Sequence, residues 1–91
     1  EKRAEAAART GDAFGSIQLY RDVAERWHYR GEGAMAEDVA RRAEELWRQM
    51  PQGDEALSAG LVVVRMRNQM PGQSGDALTA VLADRVRLLQ A

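Results

Sequence analysis

The sequence predicts an all-α protein, and three observations carry that prediction. Turn signals recur about every 21 residues, at Gly11-Asp12, Gly31-Glu32-Gly33, Pro51-Gln52-Gly53-Asp54 and Pro71-Gly72-Gln73-Ser74-Gly75-Asp76. The segments between them carry apolar residues at three- and four-residue steps, the period of a helix with one buried face. The one strand-like run, Val62-Val63-Val64, has no second run to pair with. The expected architecture is about five antiparallel helices in a single domain over residues 1–91. They are either stacked as an open α–α superhelix or closed into a bundle.

Each element has its own reason. Residues 1–10 are alanine-rich and charged, a strong helix former that Gly11 stops. Asp12 then stands where an N-cap belongs, its carboxylate placed to accept from the first free amides of the next helix. In that second helix Phe14, Ile17, Tyr20, Val23, Ala24 and Trp27 make one apolar face, which ends near Arg30-Gly31. The third helix carries a continuous stripe of Ala36, Val39, Ala40, Ala43, Leu46, Trp47 and Met50, and Pro51 ends it. Asp54 is expected to cap a fourth helix with Leu57, Leu61 and Val64 on one face. Period alone leaves the valine run open to a buried strand. Helix-forming neighbours such as Ala56, Leu57, Ala59 and Met66 favour helix, because a lone strand would leave its backbone groups unsatisfied. A fifth helix, residues 76–90, repeats Leu78, Val81, Leu82, Val86 and Leu89.

Charge and composition remove several classes of function. The chain has 13 basic and 14 acidic residues, so no net field draws it to nucleic acid or an anionic membrane. It has no cysteine, which excludes disulfides and cysteine–zinc sites. The longest apolar run, Leu61-Val62-Val63-Val64, is far too short to span a bilayer, and no targeting segment is visible. A cytoplasmic location is the expectation. The chain opens Glu1-Lys2-Arg3 without methionine, as an excised part of a longer array would. Asp22 with Arg26, Glu37 with Arg41, Asp38 with Arg42 and Glu44 with Arg48 are acid-to-arginine pairs four apart, the favourable order on a solvated helix face.

Sliding the sequence 42 positions places Gly11-Asp12 on Gly53-Asp54, Ser16 on Ser58, Leu19 on Leu61, Gly33 on Gly75, Val39 on Val81 and Leu46 on Leu88. Turn glycines fall on turns and apolar residues on helix faces. The stretch from Gly11 to Ala24 resembles the end of one tetratricopeptide helix, its Gly-Asp turn and the next helix, with Ser16, Tyr20 and Val23 in the family's small, aromatic and apolar positions. Gly53-Asp54-Glu55-Ala56-Leu57 through Gly72, then Asp76-Ala77-Leu78 through Leu89, is similar to the longer repeats of the kinesin-light-chain class, common in bacterial regulatory proteins. The two stretches imply different helix phasing, and the family's Trp-Leu-Gly-Tyr face of the first helix is absent. The resemblance implies a binding scaffold whose partner, a protein or peptide, lies in a groove lined by alternate helices.

No residue set points to catalysis, a cofactor or a metal. Gly11 to Gly15 and Gly31 to Gly33 lack the strand and the Gly-Lys-Ser/Thr ending of a phosphate loop, and read as turns. His28, the only histidine, has no second histidine or cysteine to work with and reads as a helix-end surface residue. Trp27 and Trp47 are expected to pack between helices. Trp27, Tyr29 and Arg30, with Arg26, would also make an aromatic and cationic patch for a partner. Arg65, Arg67 and Asn68 follow a very apolar segment. Arg65 and Asn68, three apart on one face, suit a peptide backbone or terminal carboxylate. The alternative is a self-associating structural or regulatory bundle, a homo-oligomer joined through Trp27, Met50 and Leu89.

Overall fold

The computed structural model describes residues 12–90, and within them the chain is helical with no strand. There are four α-helices: α1 (Ala13–Tyr29), α2 (Gly33–Gln49), α3 (Asp54–Gln69) and α4 (Asp76–Gln90), with a 3-10 turn at Gln73–Gly75 before α4. The helix expected over residues 1–10 lies outside the described residues.

Local chemistry sets the boundaries. Asp12 caps α1 as its sequence position implies, its Oδ1 accepting from the Gly15 amide at 2.9 Å. At the other end Gly31, at φ 79°, and Glu32 donate back to the carbonyls of His28 and Trp27, both at 3.0 Å. These are the crossed bonds of a Schellman ending. Met50 is driven to an extended ψ of 141° by the proline that follows it, which stops α2. The cap of α3 differs from expectation. Gly53 occupies the N-cap position at φ 151°, and Asp54 is instead the first helical residue. Its charge still serves the helix, since with Glu55 it sits in the first turn beside the free amides.

The helices pack as a slab of 37 × 32 × 14 Å. That depth is what two helix layers require at a spacing of about 9 Å and a Cα radius of about 2.3 Å. α1 packs most extensively on α2; α3 packs on α1, α2 and α4. The apolar stripe read in α2 is the core stripe: Ala36, Val39, Ala40, Ala43 and Trp47 are buried, with Leu46 and Met50 packed against them. From α1 come Ile17, Tyr20 and Ala24, and from α4 only Val81 is fully buried.

α3 departs furthest from its predicted face. Ala56, Ala59, Val62, Val63, Val64, Met66 and Arg67 are buried, while Leu61 is exposed. At 100° per residue these positions cover roughly 200° of the circumference. A helix with three helical neighbours has no single apolar stripe. The predicted face of α4 also divides: Val81 is buried, Leu78 packs on the core, and Leu82, Val86 and Leu89 are exposed.

Gly60 in mid-α3 has a packing reason. A Cβ there would lie 2.8 Å from Cζ2 of Trp47, so the indole rests directly on the α3 backbone. Its Nε1 donates to the Ala56 carbonyl at 3.0 Å. Gly60→Ala would gain about 1 kcal/mol in an open helix, but here it forces the ring aside at a cost of about 1–3 kcal/mol. The expected outcome is a lower Tm by circular dichroism with a changed Trp47 fluorescence; an unchanged or higher Tm would show that the ring has room to move.

Candidate functional site

Arg67 and Glu44 are the charged residues buried among those described. The guanidinium of Arg67, 1% exposed, uses every N–H it has. Nε and Nη2 grip the Glu44 carboxylate at 2.9 and 2.7 Å. Nη1 and Nη2 grip that of Glu37 at 2.7 and 2.9 Å. The remaining Nη1 hydrogen goes to the Met70 carbonyl at the end of α3, at 3.2 Å. Two bidentate forks and one carbonyl thus satisfy all five donors. Glu37 also accepts from Arg41 Nε at 3.0 Å, so two cations face two carboxylates.

The positions follow from helix spacing. Glu37 and Glu44 are seven apart on α2, two turns along one face, and Arg67 meets them from the last turn of α3. Burial acts against the Arg67 charge, but the hydrogen bonds it donates to Glu44 and Glu37 outweigh it and hold its pKa above the ordinary value. The Arg67 hydrogen bond holds the Glu37 carboxyl below its ordinary 4.5, with Arg41 assisting and burial opposing. A polar groove lies over this cluster, with Gln73, Asp76 and Ala77 facing Arg41 and Glu44. Among the described residues no group of three His, Asp or Glu is placed to hold a metal ion. None of their helices is long and apolar enough to cross a membrane.

The helix-pair reading of charge holds in part. Glu37–Arg41 and Asp38–Arg42 form at 3.0 and 3.1 Å. The other two expected pairs are replaced: Asp22 takes its neighbour Arg21 at 2.9 Å, Glu44 turns inward to Arg67, and Arg48 crosses to Asp84 of α4 at 3.0 Å. The sequence did hold a signal for the cluster. Glu44 lies inside the α2 stripe, between Ala40 and Trp47, where an acid needs a buried partner.

The sequence-selected surface residues fall at related places. Arg65 and Asn68 are exposed, and no described carboxylate pairs with Arg65. Tyr29, 75% exposed, donates its hydroxyl to Gln69 Oε1 at 3.2 Å. Those are the last residues of α1 and α3, so the bond sets the C-terminal ends of the two helices side by side. Trp27 is half-buried in the α1–α2 seam near Met35 and Val39, and Arg30 lies over its ring at 5.5 Å. Met50 sits at the opposite end of the α1–α2 hairpin, near Ala13. Neither a family model, nor a curated protein, nor a solved structure matches the chain.

Removing Arg67 alone strands a buried carboxylate. Arg67→Met is expected to cost about 3–5 kcal/mol in urea unfolding, and Arg67→Met with Glu44→Leu to recover most of it. No recovery in the double variant would mean that apolar packing cannot replace the pair. Because the folded pKa of Glu37 is depressed, its contribution is complete above about pH 4.5 and disappears as pH falls through the folded value. Glu37→Gln should flatten the loss of stability as pH falls below the ordinary carboxyl value of 4.5; an unchanged acid limb would place that loss on other carboxyls.

Proposed function

We propose that this chain is a non-enzymatic interaction module, a tetratricopeptide-type helical stack that recognises a protein or peptide segment through the exposed side of α1 and α3. The observation that carries this reading is the Tyr29–Gln69 bond, which unites the two separately chosen groups, Tyr29 with Arg30 and Arg65 with Asn68, at one end of adjacent helices. The contact pattern supports an open stack over a closed bundle. Each helix packs on the next, α3 also packs on α1, and the first and last described helices make no extensive contact.

Electrostatics supports the same choice of surface. Arg67 is consumed internally, while Arg65 and the amide of Asn68 stay exposed, available to a carboxylate or a peptide backbone. Peptides selected from a displayed random library against the whole chain supply a ligand for the test. Arg65→Ala with Asn68→Ala is expected to weaken them about tenfold or more while leaving Tm unchanged. Unaltered affinity in a folded double variant would remove these residues from the binding surface.

A further inference from the structure

The bridge between Arg48 and Asp84 joins two helices that make no extensive contact with each other. Arg41 and Ala77 line one groove, and seven residues on in each helix Arg48 meets Asp84 at 3.0 Å, so α2 and α4 run parallel with a furrow between them. Arg48 lines that furrow on both sides of the bridge. On one side is the polar groove over the Arg67 cluster. On the other, toward the C-terminal ends of both helices, is a cavity of about 230 Å³. Its walls are α2 and α4 and its floor is Ala56 of α3, so its shape depends on no further element.

This cavity joins two kinds of chemistry. Inside it is apolar: Trp47 and Ala56 are buried, and Met50 and Leu88 pack against the core. The rim is cationic. Asp84 accepts from Nε of Arg48 and from Nη2 of Arg87, so one carboxylate holds two guanidinium groups and one positive charge is left over. Among the described residues, neither Nη of Arg48 has an acceptor, nor do Nε and Nη1 of Arg87. Asp84 fixes both groups and leaves those donors to a ligand.

We infer that the cavity is a binding site for a small aromatic carboxylate, its ring against Trp47 and its carboxylate between Arg48 and Arg87. Size and charge select that class. An apolar cavity of about 150 Å³ takes up benzene, so this one has room for a ring and a short linker. An indole wall and the thioether of Met50 both favour an aromatic ring over an alkyl chain. One surplus positive charge calls for a monoanion, and a guanidinium matches a carboxylate in planar fork geometry. Arg48, reaching across to Asp84, bars the way along the furrow. A longer chain has no track to follow, and the ligand is a free acid. The site lies between α2 and α4, apart from the α1–α3 surface proposed above for peptides, and does not rest on that reading.

The probe is 3-phenylpropionate, titrated into the whole chain and followed through the indole N–H resonances, which report Trp47 and Trp27 separately. Saturable shifts are expected at Trp47 and Leu88, with a Kd of about 1 mM or below, and none at Trp27. The uncharged 3-phenylpropionamide, which keeps the ring, should bind about tenfold more weakly or worse. The Arg87 side chain is 73% exposed, so Arg87→Gln leaves Tm unchanged and should weaken the acid about threefold or more.

No saturation at about 10 mM acid, equal binding of the amide, shifts shared with Trp27, or indifference to Arg87→Gln would overturn the proposal. So would acetyl-glycyl-phenylalanine binding about tenfold more tightly than the free acid, because the occupant would then be the end of a peptide. Arg65 and Asn68 are read out separately with the library peptides, so failure of either test leaves the other site standing.

Discussion

A guanidinium removed from water is costly unless each of its donors is answered, and in this molecule the Arg67 cluster answers all five. The cost of burial is met only in one geometry, so the cluster fixes how far α3 has slid along α2 and how it is rotated. Rotation is the consequence that reaches the surface. With Arg67 turned inward, the helical step of 100° per residue turns Asn68 and Arg65 outward. The exposed residues of that turn are aimed by the buried one.

Trp47 ties the same two helices at a second point. α2 and α3 run antiparallel, so Glu37 and Glu44 meet the last turn of α3 while Trp47 meets its first half, at Ala56 and Gly60. One tie is ionic and directional; the other is a broad apolar plate with a single donor. The ionic tie selects the register, because a slip of one residue would leave charge unpaired in the interior. The indole supplies the burial that the charged groups cannot, and the missing side chain at position 60 admits it.

The legible parts of the fold were those where a helix buries one side. α2 shows this best: its stripe from Ala36 to Met50 and its stop at Pro51 were readable because a single face carries the core. α3 was recognisable as a helix, but its buried side was not, since burial over more than half its girth erases the period that Leu57, Leu61 and Val64 seemed to give. The ion cluster was hidden for a related reason. Glu44 has an arginine four residues on, which local spacing favours, and only the arrival of α3 diverts it to Arg67. Arg65 and Asn68 were legible as exposed neighbours; that Tyr29 and Gln69 would close the gap between α1 and α3 was not, as no local pattern encodes a bond forty residues long.

Two helix layers make a slab 14 Å deep, in which each helix lies against one broad face. Protection of a helix then depends on how many neighbours flank it, and less on depth. α3 is flanked by three helices, whereas α4 packs on α3 with Val81 alone fully buried. Amide exchange should therefore run as a gradient across the slab, slow in α3 and fast in α4, with α4 undocking well short of global unfolding.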